Sequence, residues 1–156
     1  MSASKKRPRA AARTPHLQDT IRLSAEGLAK VLGDLEARVM QTVWSLGIPV
    51  PARTVYDRVI QEHDVALLTV ITVLNKLVAK GLLARTRRAR LFHYSARLTE
   101  PAFRALATRK VIAGVFALGP EAVATSLVDV LAEHDPDQLA ELGRLIRRKL
   151  KEQEEQ

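Results

Sequence analysis

Between Leu67 and Lys80 the apolar side chains recur at Val70, Val73, Leu74, Leu77 and Val78, the i, i+3, i+4, i+7, i+8 spacing of a single helix stripe. At 100° per residue, Leu68, Thr72, Asn75, Lys76 and Ala79 fall on the opposite face, with Thr69 at its margin. That face carries hydroxyls, an amide and one lysine, and none of the acidic residues that usually decorate a solvated helix. The spacing predicts a helix over 67–80, with Gly81 as its C-cap.

The segments around it are equally short. Leu35, Val39, Met40, Val43 and Leu46 are spaced three or four apart and predict a helix from Gly33 to Leu46, with Gly33 as N-cap and Glu36 at the capping-box position. Gly47, Pro49 and Pro51 turn the chain. A second helix over about 52–61 is expected to bury Val55, Val59 and Ile60. After Gly81, two short strands (82–86 and 91–95) flank a tip with three arginines in four residues, Arg87-Arg88-Ala89-Arg90. Three helices followed by a basic hairpin within about 65 residues is the layout of a winged helix-turn-helix, whose third helix enters the major groove while the hairpin touches the backbone nearby.

Beyond residue 98 the pattern is helical. Thr99 opens a helix running to about Leu118, a second spans about 121–134, and Asp135-Pro136-Asp137-Gln138 starts a third, with Asp as N-cap, Pro at the first helical position and Gln at the capping-box position. These helices cannot cover their own stripes well. The run from Val111 through Val115 and Phe116 is apolar nearly all round, and Val123, Leu127 and Leu131 on the next helix and Leu142 and Ile146 on the last add to the apolar surface. A helix-mediated homodimer accounts for this better than packing onto the chain's own winged helix. The fold class is therefore mainly α (α+β), with a basic arm over residues 1–30, a winged helix over 31–98 and a helical dimerisation domain over 99–156.

Charge follows the same division. Residues 1–30 hold seven basic and two acidic side chains, residues 31–99 ten and five, and residues 100–156 eight and ten, within a net charge of +8. The excess lies in the first two parts, as expected of a front that binds a polyanion. Lys5, Lys6, Arg7 and Arg9 stand among Ala, Ser and Pro and read as a disordered arm that adds affinity for DNA. The chain has no cysteine, which removes disulfides, thiolate metal sites and Cys nucleophiles and fits an intracellular protein. No stretch approaches the roughly 18 apolar residues of a membrane span, and no apolar core follows the basic start as in a signal peptide.

Enzyme chemistry is not expected. His16, His63, His93 and His134 lack metal-ligand spacing, and there is no phosphate-cradling Gly-rich loop, nucleophile elbow or carboxylate pair, so no metal or cofactor is implied. Nucleic-acid chemistry has better candidates. Lys76 suits donation to guanine O6 and N7, and Thr69 and Thr72 suit a phosphate, a base edge or a thymine methyl. Arg85, Arg87, Arg88 and Arg90 suit phosphates or a minor groove, since clustered arginines repel one another without an anion partner.

Three stretches resemble the BlaI/MecI penicillinase-repressor family: Leu32-Gly33-Asp34-Leu35-Glu36-Ala37-Arg38-Val39-Met40, then Thr69-Val70-Ile71-Thr72-Val73-Leu74-Asn75-Lys76-Leu77 running on to Lys80-Gly81-Leu82, and a hairpin ending Tyr94-Ser95. The similarity covers residues 32–96. It implies a bacterial, cytoplasmic and nucleoid-associated transcriptional repressor, a homodimer that binds a two-fold double-stranded DNA operator, with positions matching Thr69, Thr72 and Lys76 facing the DNA. It also implies a membrane sensor protease as partner, which cuts family members within an Asn-Phe pair. The corresponding stretch here, Ser126-Leu127-Val128-Asp129-Val130-Leu131, holds no such pair. Ala89 replaces the family's usual wing glycine, and Leu67 and Leu68 replace polar residues at the start of the recognition helix. Two other readings share this layout: a regulator whose helical domain answers to a small ligand, and a sequence-neutral architectural protein.

Overall fold

A computed structural model describes residues 32–156, so the basic arm, including Lys5, Lys6, Arg7 and Arg9, lies outside the described residues. The chain divides into two compact units, the first ending at Thr108 and the second spanning Arg109–Gln156. In order, the elements are α1 (Asp34–Leu46), β1 (Val50–Pro51), α2 (Ala52–Val59), α3 (Leu67–Ala79), β2 (Leu83–Arg88), β3 (Leu91–Ala96), α4 (Glu100–Phe116), α5 (Pro120–His134) and α6 (Pro136–Glu154).

The first unit is a winged helix. α1, α2 and α3 pack on one another, α1 also meets β3, and α3 meets β2. Val70, Leu74 and Leu77 of the α3 stripe are fully buried, Val73 nearly so, and Val78 is half-buried. They meet Val39, Met40, Val55 and Val59 in a core closed from the sheet side by Leu83 and Tyr94. Each such side chain contributes roughly 1.5–3 kcal/mol on burial. α2 is shorter than the periodicity suggests. It stops at Val59, so Ile60, expected to be buried, is the C-cap and stays 41% exposed.

Helix ends follow local chemistry. Gly47 closes α1 with a left-handed φ of 67°. α3 ends one residue before the expected glycine cap: Lys80 is the C-cap, and Gly81 follows at φ 78°. There the Gly81 N–H donates to the Val78 carbonyl and the Leu82 N–H to that of Leu77, both at 3.0 Å, the Schellman arrangement. Lys80 Nζ also reaches Glu36 Oε2 of α1 at 2.7 Å, so the carboxylate expected to close a capping box instead anchors the far end of α3.

The sheet has the order β1-β3-β2, antiparallel throughout. β1 has no sequence signature. Two residues, one of them Pro51, pair with Tyr94 and His93, and proline is tolerated because β1 is an edge strand. β2 runs two residues further than expected, since pairing continues to Arg88↔Leu91, and β3 one further, to Ala96 opposite Leu83. The tip is therefore only Ala89 and Arg90, at φ 46° and 70°, as a two-residue type I′ turn requires.

The first unit does not end with the sheet. Thr99 Oγ1 accepts from the Ala102 N–H at 3.3 Å and starts α4, whose first turns belong to the winged helix. Phe103 is fully buried with its ring centroid 5.5 Å from that of Trp44, and the Trp44 Nε1–H donates to the Leu98 carbonyl at 2.9 Å. The compact unit thus extends ten residues past the boundary at 98 read from the sequence pattern.

In the second unit, Asp135 caps α6 as its motif predicts, its side chain accepting from the Gln138 N–H at 3.1 Å. α5 packs against α6. Yet no residue from Arg109 onward is buried in a single copy. No single helix among the described residues is long and apolar enough to cross a membrane.

Left-handed backbone costs a non-glycine residue about 1–2 kcal/mol, and asparagine bears it best. Ala89→Asn should therefore raise stability by about 0.5–1 kcal/mol, seen as a higher urea midpoint at unchanged slope.

Candidate nucleic-acid interface

With its stripe buried, α3 presents the face opposite. Leu68 is 72% exposed, and Thr69, Thr72 and Lys76 are also exposed. Thr72 Oγ1–H donates to the Leu68 carbonyl at 2.9 Å. What it offers outward is thus a methyl and an acceptor, which suits a thymine methyl or an amino group on a base edge and not a phosphate. Lys76 is the cation of this face. Its ammonium donates only, which matches guanine O6 and N7.

The helix starts at Leu67 as its spacing predicts, but that spacing says nothing of what precedes it. The N-cap is Ala66, with no side-chain cap and no acid in the first turn. The first peptide N–H groups and the positive end of the helix dipole are then available to an anion. The signal was an alanine where Ser, Thr or Asp usually stands.

The four wing arginines are exposed but not equivalent. Facing residues in the ladder share a side of the sheet, so Arg85 and Arg87 lie with Tyr94 and Phe92, while Arg88 lies with Leu91 on the other side. Arg85 lies over the Phe92 ring at 4.3 Å and Arg87 at 6.0 Å, cation–π contacts that restrict where the guanidiniums can go. Arg90 sits in the turn.

Asn75, expected among the groups facing DNA, is half-buried. Its Oδ1 accepts from Arg85 Nη1 at 2.9 Å and from the Tyr94 hydroxyl at 3.0 Å. The structure therefore brings Leu68, Thr69, Thr72 and Lys76 onto one open face and sets the wing beside it through Asn75. Among the described residues no group of His, Asp and Glu is arranged to hold a metal ion.

In the second unit, Val111, Val115, Phe116, Val123 and Leu127 line an apolar groove of about 450 Å³ together with Ile112, Leu118 and Val130. Leu131, Leu142 and Ile146, expected in the same interface, are not among its lining residues; Ile146 is 50% exposed and the other two are half-buried.

The two parts of the interface should respond differently to mutation. Lys76→Ala should reduce discrimination at one base pair by about 1–3 kcal/mol. Arg87→Ala and Arg88→Ala should each weaken binding to all sequences alike and lower the slope of log K against log salt by about 1. Binding titrations of specific and unrelated duplexes over a salt series separate the two behaviours. Proportional losses for Lys76→Ala on both duplexes would remove it from the groove.

Comparison with known proteins points the same way. The family model described as penicillinase repressor matches residues 32–148. The transcriptional regulator BlaI of Mycobacterium tuberculosis, from two strains, is 39% identical over 64 residues, which is 41% of this chain and 46% of the relative. The chain thus matches a little under half the length of those curated relatives. Because the family match runs from the first buried leucine of the winged helix well into α6, the chain belongs to the penicillinase repressor family.

Proposed function

We propose that this protein is a homodimeric, sequence-specific transcriptional repressor that binds a two-fold DNA operator and blocks transcription. The observation that carries the reading is the acid-free, exposed face of α3, with an uncapped N-terminus at one end and an arginine wing tied to its side. Phosphate contacts from the wing position the protein, and Leu68, Thr69, Thr72 and Lys76 read base edges. The similarity to a transcriptional regulator over 64 residues supports the same assignment.

Dimerisation is carried by the second unit. A unit with no buried residue from Arg109 onward and an open apolar groove leaves unmet the burial that holds helices together in water. A second copy laid against Val111, Val115, Phe116, Val123 and Leu127 meets it, with Leu142 and Ile146 of α6 adding to the contact. Two winged helices joined by a two-fold axis then address half-sites about one helical turn apart. A protease that cuts at an Asn-Phe pair finds none in residues 126–131, so release rests on another sequence there or on another signal.

The test is a footprint of the purified protein on DNA upstream of its own gene at about 0.15 M salt, where non-specific binding is damped. The expected result is a discrete patch with two-fold symmetric halves and a specificity ratio of roughly 10³ or more. Uniform affinity across sequences would replace the repressor with a sequence-neutral DNA-binding protein. A chain ended at Thr108 should sediment as a folded monomer and bind the operator far more weakly. If it sediments as a dimer, the interface belongs to the winged helix.

A further inference from the structure

Asn75 stands on the helix face that sequence periodicity assigns to DNA, and an asparagine there would ordinarily be read as a contact to adenine. That contact uses both ends of the amide: the oxygen accepts from N6 while the nitrogen donates to N7. A carbonyl oxygen has two lone pairs. In this structure Asn75 Oδ1 accepts two hydrogen bonds, from Arg85 Nη1 at 2.9 Å and from the Tyr94 hydroxyl at 3.0 Å. Both donors come from the wing, Arg85 from β2 and Tyr94 from β3, and they face each other in the ladder. Tyr94 is 2% exposed, so its hydroxyl has little access to water to replace that bond. Arg85 is held on its flat side by the Phe92 ring at 4.3 Å.

We infer that Asn75 is a positioning residue: its amide oxygen pins both strands of the wing to α3, setting the angle at which helix and wing meet DNA, and is not spent on a bidentate contact to adenine. The inference rests on the proposed DNA-binding function for its consequence but not for its geometry. Reading adenine through both ends of the amide would require Asn75 Oδ1 to give up at least one wing bond, that of Arg85 or that of the buried Tyr94 hydroxyl, a costly exchange. Held as it is, Asn75 lets the α3 residues and the wing arginines approach base edges and phosphates in fixed phase. Losing the pin loosens the wing contacts and leaves the base contacts of Lys76 in place.

The test uses the full chain with Asn75→Ala, Asn75→Asp and Tyr94→Phe. In the free protein, amide hydrogen exchange in β2 and β3 should quicken about tenfold in Asn75→Ala relative to α1 and α2. Tyr94→Phe should change it in the same direction by less. Asn75→Asp keeps the acceptor and should restore protection. On the operator, Asn75→Ala should keep the preferred base at every position while hydroxyl-radical protection at the wing fades and the salt slope drops by about 1–2. A changed preference at one base pair, with wing exchange as in the wild type, would make Asn75 a base reader and overturn the proposal. Equal exchange in all four proteins would overturn it as well. Absence of any specific site for the wild-type chain would sink the repressor reading instead, and the exchange comparison would still decide whether Asn75 holds the wing.

Discussion

Burial of one side of α3 is the constraint on which the first unit depends. Val70, Leu74 and Leu77 are fully enclosed by α1, α2 and the sheet. A helix held so firmly on one side has no rotational freedom, and whatever stands opposite is presented in a fixed order. The Lys80–Glu36 ion pair holds one end of α3 to α1, and Asn75 holds its flank to the wing. The open face of α3 is therefore held in place by its packing, which under the proposed function reduces the ordering cost of binding DNA.

The second unit shows the opposite condition. Its helices are regular, with a well-made N-cap at Asp135, yet they bury nothing completely in one copy. Local propensity and capping are enough to define the helices but not to stabilise their arrangement, because most helical stability in water comes from packing an apolar face. Under the proposed function, a second copy of the chain supplies that packing. The first unit thus buries a core of its own and presents polar groups, whereas the second presents apolar ones.

Much of this was legible in the residues. The stripe of α3, the glycine closures of α1 and α3, the hairpin and the Asp135 cap all rest on interactions within a few residues of one another, and each stands within a residue or two of its expected place. Three features were not. β1 is two residues long, contains a proline, and exists only because β3 passes beside it. Phe103 belongs to the winged-helix core because Trp44, far away in sequence, reaches it. The partners of Asn75 lie 10 and 19 residues along the chain, so no periodicity within α3 reveals them.

The sequence by itself determined which segments are helices, where each turns, which side of each is apolar and where the positive charge gathers. Those properties follow from backbone preferences and the repeat of a single element. Only the tertiary structure decided which polar groups of this face are already engaged: Thr72 donates its hydroxyl hydrogen bond to the backbone, Asn75 Oδ1 accepts from the wing, and Arg85 donates to Asn75 and lies over Phe92, while Lys76 stays exposed. The physical reason is that a hydrogen-bond partner is a matter of distance in space. A helical wheel places a side chain on a face but cannot say which other element has already folded over it.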